Sequence, residues 1–343
     1  MPTFNAGALG VDFDSVDLTD LAQAQVFGAS ASGFSIAGDN STFTVSGAGF
    51  VYGGAGLPVG GTITEVDETS LGATVFTYTG LTVSVADVNN ALATGDDSLV
   101  KAVVFAGSNV VNGSSGLDLL RGYAGDDTIN GNDGDDLING GDGNNSIAGG
   151  NGDDVIVTTS GSNYLRGGDG DDHILGGSGF DDINGNKGQD TIDGGSGGND
   201  WLVGGQGDDL IIAHQSHNLL YGNLGNDTLN AGSDGDTLRG GQGDDVIVGG
   251  AGGDYISGDR GNDTETGGAG ADTFHSFSGA GRDVVTDFNQ AQGDRVLLDP
   301  GTVFTVSQVG ADTVVDMGNG DQVVLQNVQF SSLHDGWIVV GLT

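Results

Sequence analysis

The chain has 343 residues, of which 69 are glycine, 48 aspartate or glutamate and only 8 lysine or arginine, giving a net charge of −40. Such a chain repels polyanions, which excludes nucleic acid and anionic membrane surfaces as partners and makes cations the natural ones. With no cysteine and no long apolar run, disulfides, thiolate metal sites and membrane insertion are excluded as well.

Acidic disorder would produce a similar charge, but the kind of acid argues against it. Only Glu65, Glu68 and Glu265 are glutamate. The rest are aspartates, whose short arm suits tight turns and close ligation of a cation.

Taken in chain order, the opening "MPTFNAGALGVDFDSVDL" has neither the basic region nor the apolar core of a Sec signal peptide. Residues 1–106 contain no repeat and mix β-branched runs with glycine turns, as in "STFTVSGAGFVYGG" and "ATVFTYTGLTVSV", so they read as a β-rich N-terminal domain. Two stretches near its end, "VADVNNAL" and "DSLVKAVVF", read as short helices. Asp12, Asp14, Asp17 and Asp20 form its densest acidic group, a solvated or metal-binding face rather than a catalytic pair.

From Gly113 to His275 the chain is a nine-residue repeat, eighteen units with one inserted residue in "GGSGGNDWLV". A representative unit is "GGNGDDVIV", residues 149–157, with glycine at positions 1 and 4, aspartate at 6 and a large apolar residue at 8. Position 8 is Leu, Ile or Phe in every unit from Leu120 to Phe274 except Glu265, so it must point inward. Each unit then supplies a six-residue turn and a three-residue strand. The glycines at positions 1 and 4 are expected to supply positive φ values, and position 6 sets a carboxylate at the end of the turn. Two units complete one circuit of a flattened coil, so residues 18 apart stack about 4.8 Å apart along its axis.

Stacking also superposes like charges. Two carboxylates at that spacing repel by about 1 kcal/mol in water and several times more at an effective dielectric near 20. A cation that accepts six to eight oxygens in flexible geometry, as Ca2+ does, resolves the conflict, whereas Mg2+ resists losing its water.

Sorting the units by parity separates two columns. One carries Asp118, Asp136, Asp154, Asp172, Asp190, Asp209, Asp227, Asp245 and Asp263, and all of its units keep glycine at positions 1 and 4. The other carries Asp127, Asp181, Asp200, Asp236, Asp254 and Asp272, with Asn145, Asn163 and Asn218 at the remaining places. That second column also holds the insertion and the degenerate turns "TTSGSN" and "AHQSHN". The expectation is a lopsided roll, with up to about eight calcium ions on the intact side and about two to five on the other, at one ion per gap.

Beyond the repeat, residues 276–343 become alternating strands, "RDVVTDF", "DRVLLD", "TVFTVSQV", "DTVVDM", "DQVVLQNV" and "WIVVGL", which read as a β-rich cap.

The pattern G-G-x-G-x-D-x-U-x resembles the RTX (repeats-in-toxin) family, whose repeat is a known calcium-binding β-helix signature. The resemblance covers about half the chain and implies an all-β fold: a right-handed parallel β-roll over 107–275, between the N-terminal β domain and the C-terminal cap. It also implies a protein secreted through a type I apparatus by an uncleaved C-terminal signal. Residues 269–299 look like the family's junction between roll and C-terminal domain, and the ending "DGWIVVGLT" resembles the tails of secreted members.

Other motifs are weaker. "GGSGG", residues 194–198, formally matches a nucleophile elbow, but the nine-residue spacing accounts for Ser196 as a turn residue. His214 and His217 share a degenerate turn and read as exposed loop residues rather than a metal pair, and no HExxH occurs. Trp201 and Trp337 read as packing residues rather than sugar-stacking surfaces. Glu265 marks the point where the interior opens toward the cap, or ligates an ion, or pairs with Arg260 or Arg282; the sequence leaves these alternatives open.

Two functions compete. The leading one is a non-enzymatic extracellular protein of a surface, matrix or adhesive kind, whose N-terminal domain binds a cell surface, a polysaccharide or its own copies. The other is a small secreted enzyme acting on polysaccharide or lipid through an unrecognised N-terminal site. The catalytic folds found beside such rolls have no counterpart in these 106 residues.

Overall fold

A computed structural model of the chain describes six N-terminal strands together with residues 107–113 and 115–341. The described residues are β throughout, apart from a single 3-10 turn at Phe330–Ser332. The two stretches read as short helices, and Asp12, Asp14, Asp17 and Asp20, lie outside the described residues. Among the described residues no helix is long and apolar enough to cross a membrane. The chain divides into two compact units, residues 1–165 and 166–343, each containing parallel β-solenoid built from the repeats.

In the first unit, Gln25–Ser30, Gly33–Ala37, Ser41–Tyr52, Pro58–Ser70 and Ala73–Ser84 form an antiparallel meander. Thr3–Ala6 pairs antiparallel with Ala73–Ser84 and parallel with Val110–Asn112, so the meander's sheet runs on into one wall of the solenoid. That wall continues through Thr128–Asp133 and Ser146–Asn151, with Val111, Ile129 and Ile147 in line. The opposite wall is Leu119–Arg121, Leu137–Asp142 and Val155–Ser160, with Leu120, Ile138 and Ile156 in line.

The second unit repeats the arrangement with more turns. One wall aligns Ile183, Leu202, Leu220, Leu238, Ile256, Phe274, Val296 and Ile338. The other aligns Ile174, Ile192, Ile211, Leu229, Ile247, Glu265, Val285 and Leu325. The inserted residue is absorbed in a turn, since Ile183 still faces Leu202 across adjacent strands. Position 8 thus points inward, as its apolar character requires. Each such side chain contributes about 1.5–3 kcal/mol by leaving water, but with one per nine residues the core is thin.

The parallel ladder does not stop at His275. Arg282–Val285 and Arg295–Leu298 extend the two walls, Asp321–Leu325 and Ile338–Val340 extend them again, and Asp312–Gly318 and Thr305–Val309 close one edge antiparallel. All six C-terminal runs read as strands are strands. Trp337 is buried edge-on against Phe288, with ring centroids 6.2 Å apart, whereas Trp201 is 47% exposed on the outer face.

The two glycine positions play different parts, which corrects the expectation that both are kept for positive φ. Position 4 does need it: Gly243 has φ 131°, and a Cβ there would collide with the carbonyl of Gly225 one turn back. No position-1 glycine among the described residues has positive φ; the left-handed conformation falls at position 2 instead, where Asn132, Asn186, Asn223 and Asp259 adopt it. Position 1 is glycine because of the space beside it.

Candidate calcium sites in the turns

Every position-6 residue of both columns is buried. The ordering contact is the same at successive turns: the main-chain N–H of one position-6 residue donates to Oδ1 of the next residue in its column. In residues 107–165 these bonds run from Asp118 to Asp136 and on to Asp154, at 2.8 Å each. In the other column Asn109 donates to Asp127, Asp127 to Asn145, and Asn145 to Asn163. In residues 166–341 one ladder links Asp172, Asp190, Asp209, Asp227, Asp245 and Asp263, with steps of 2.7–2.9 Å. The other links Asp181, Asp200, Asn218, Asp236, Asp254 and Asp272.

The second carboxylate oxygen is what distinguishes Asp from Asn. Oδ2 of Asp127, Asp136, Asp190, Asp209, Asp227, Asp236, Asp245, Asp254, Asp263 and Asp272 is buried with no hydrogen-bond partner. At the amide positions the equivalent atom is an N–H donor, and it is satisfied locally. Asn145 donates to the carbonyl of Gly143 (3.3 Å), Asn163 to Oγ1 of Thr158 (3.1 Å), and Asn218 to the carbonyl of Ser216 (3.0 Å). Asn therefore keeps the ladder and is complete without a cation, while Asp keeps the ladder and is left with a buried anionic oxygen.

That oxygen faces a hollow lined by main chain. A Cβ placed on Gly240 would stand 2.8 Å from the carbonyl of Gly258 in the next turn and closer still to Oδ2 of Asp245. On Gly249 it would stand 2.9 Å from the carbonyl of Gly267 and again closer to Oδ2 of Asp254. The same pair of oxygens, one carboxylate and one carbonyl, flanks Gly122, Gly131 and Gly222. These hard oxygen donors, converging where a methyl group is absent, fit Ca2+. Among the described residues no group of three or more His, Cys, Asp or Glu side chains converges, so a cation here would be held largely by backbone carbonyls. Thr158 and Ala213 stand at position 1 in the turns that carry Asn163 and Asn218, and there a side chain takes the space.

Electrostatics follow from this burial. Burial pushes the Asp245 carboxyl up to about 8, against the lowering effect of the Asp227 N–H and with the Asp263 and Asp227 carboxylates adding to the rise. Asp127, Asp136, Asp209, Asp236 and Asp254 are pushed to about 7, and Asp154, Asp190, Asp200 and Asp227 to about 6, again chiefly by burial. Without a counter-cation these groups take protons near neutral pH.

Three features escaped the sequence reading. Asn109 heads one column, and Asp283 and Asp294 prolong the two columns past the repeat, accepting from Asp263 (3.4 Å) and Asp272 (3.1 Å). The Asp-x-Val of "DVV" and "DRV" was the available signal, hidden by spacings of 20 and 22 residues. Position 5 forms a further ladder on the exposed side and of opposite sense, in which the later residue's N–H donates to the earlier side chain. Asn144 bonds Asp126 this way, Asp153 bonds Asp135, and Asp244 bonds Asn226.

Of the lesser motifs, Ser196 lies in a turn with its N–H on the carbonyl of Gly177. His214 pairs with Asp193 at 2.9 Å. Glu265 is buried between Ile247 and Val285 and accepts the Gly258 N–H at 2.8 Å.

The family model of the RTX calcium-binding nonapeptide repeat (4 copies) matches residues 105–138, 130–165, 148–183, 166–198, 195–229 and 230–265. Residues 105–265 of this chain are RTX calcium-binding repeats. RTX repeats bind calcium in multiple copies, and the hollows described above recur with the repeat's own period. No curated protein matches the chain significantly. Among solved structures it is similar to the extracellular lipase LipA from Serratia marcescens, at 19% identity over 54% of this chain and 41% of the lipase, with a TM-score of 0.23. The match thus spans less than half of the lipase's length.

Proposed function

We propose that this chain is a secreted RTX protein whose roll folds on calcium outside the cell, and that its role is non-enzymatic, in a surface, matrix or adhesive layer. The observation that carries the calcium reading is the buried, unpartnered Oδ2 beside a glycine carbonyl, repeated turn after turn. The ligands in this reading are the carboxylates of Asp118, Asp136, Asp154, Asp172, Asp190, Asp209, Asp227, Asp245 and Asp263 on one side. On the other they are Asp127, Asp181, Asp200, Asp236, Asp254 and Asp272, with carbonyls of the position-1 glycines. Bound Ca2+ supplies the positive charge that lets stacked carboxylates stay ionised. The satisfied amides of Asn145, Asn163 and Asn218 support fewer ions on the second side.

Export through a type I apparatus agrees with this chemistry. In the low calcium of a cytosol, the −40 chain repels itself and stays threadable. At a hundredfold excess over Kd, each site outside contributes about 2.7 kcal/mol to the folded state. In this division of labour, residues 1–106 form the attachment domain, 107–275 the roll, and 276–343 the cap with the export signal. The test is far-UV circular dichroism of the full chain, in chelator and in millimolar calcium. Strand signal that appears only with calcium supports the reading; the same ordered signal in chelator at pH 8 refutes it. Calcium-dependent attachment to cells or polysaccharide, or self-assembly, then tests the adhesive role.

A further inference from the structure

Near the C-terminal end of the second unit, the outer face of one wall carries a groove that the calcium turns do not use. Its volume is about 530 Å3, within the ~300–1,000 Å3 typical of small-molecule sites. Its lining includes Arg239, Tyr255, Asp259, His275, Phe277 and Asp299. The strand periodicity puts them together. Tyr255 and Asp259 lie on one strand, Tyr255–Arg260, His275 lies on the next with Phe277 just past its end, and Asp299 lies just beyond the strand paired with that one.

The aromatic rings make a continuous wall. Tyr255 stacks on His275 with centroids 5.7 Å apart and planes 25° apart, and His275 stacks on Phe277 at 6.0 Å and 30°. Polar contacts hold the wall in place. The Arg239 guanidinium lies 5.9 Å over the Tyr255 ring and 3.7 Å from Asp259. Ser257 Oγ donates to Asp259 at 2.7 Å and lies 3.2 Å from His275 Nδ1, and His275 Nε2 lies 3.1 Å from Asp299. Ser257, His275 and Asp299 thus form a Ser–His–Asp chain with the two imidazole nitrogens reversed from a hydrolytic triad, and Ser257 is fully buried with its hydroxyl committed to Asp259. It orients the histidine ring and attacks nothing.

We infer that this groove binds a neutral pyranose sugar, as a unit of a glycan chain. Stacked aromatic rings offer a flat apolar surface to the C–H face of a sugar ring. The Asp259 and Asp299 carboxylates and the Arg239 guanidinium offer acceptors and donors to its hydroxyls. Two carboxylates against one guanidinium, in a chain of net charge −40, disfavour anionic sugars. The inference gives the adhesive reading a ligand class and requires the folded roll.

The test uses the full chain in calcium on an array of neutral and uronate-containing oligosaccharides, followed by calorimetry with the best neutral one. Binding of a neutral oligosaccharide is expected, weakened about tenfold or more in Tyr255→Ala and in Asp259→Asn. Several results overturn the proposal: no neutral sugar bound, preference for uronates, or unchanged affinity in both variants. Far-UV dichroism of the same samples reports the calcium-dependent fold separately. A folded chain silent on the array removes the sugar site and leaves the calcium reading intact, whereas sugar binding by a chain equally ordered in chelator does the reverse.

Discussion

The main-chain N–H of Asp245 donates to Oδ1 of Asp263 at 2.8 Å, and Oδ2 of Asp263 is buried with no hydrogen-bond partner. One carboxylate thus does two separable things: one oxygen fixes the spacing of adjacent turns, and the other accumulates charge that the protein's own donors do not meet. Asn performs the first task alone.

The pH dependence of the calcium-free chain follows from the raised carboxylates. Their folded values of about 6 to 8 lie above the ordinary 3.8. Their contribution to stability is therefore fully present below about pH 3.8 and is lost as pH rises through 6 to 8. In chelator, strand signal by circular dichroism should be stronger at pH 5 than at pH 8. Calcium affinity should strengthen over the same rise, as protons cease to compete.

Asn145 and Asn163 separate the ladder from the cation. Asn145→Asp restores a carboxylate beside Gly140, but the Ile147 side chain and the Thr158 methyl group line that hollow, so by native mass spectrometry it should add a calcium ion only together with Thr158→Gly. Asn163→Asp should add none, because Thr158 occupies the hollow, and the double change with Thr158→Gly should add one.

Gly240 and Gly243 share one turn and should fail differently. Gly240→Ala puts a methyl group against Oδ2 of Asp245 and 2.8 Å from the Gly258 carbonyl, so the calcium midpoint should rise. Gly243→Ala meets φ 131° and the Gly225 carbonyl, so thermal stability in saturating calcium should fall by more than about 1 kcal/mol. Equal effects of the two on both measurements would contradict the distinction.

Glu265 stands in an apolar row, its carboxyl held well above the ordinary range, first by burial and then by Asp283. Its contribution is lost as pH rises through that elevated value. Glu265→Gln keeps the acceptor for Gly258 and should raise Tm at pH 8 more than at pH 5. Glu265→Leu leaves the Gly258 N–H buried without a partner, a cost of about 1–3 kcal/mol, and should be less stable than the glutamine variant.

How much was legible depended on whether a property repeats. The inward apolar row from Leu120 to Phe274, the register of 18, and the alternation of two turn columns are all periodic, so spacing alone revealed them. Asp283 and Asp294 were missed because the chain between turns lengthens while the stacking stays the same. The part played by position 1 was misread because a glycine kept for space and one kept for φ look alike in sequence.

The sequence by itself determined the β-roll, its strand register and the aspartates that line its turns, because each follows from a period of nine applied to side-chain polarity. Only the tertiary structure decided which carboxylate oxygen is spent on the next turn and which is left over, where the columns end, and that Arg239, Tyr255, His275 and Asp299 share one groove. Those relations hold between residues brought together by coiling, at separations that no local pattern encodes.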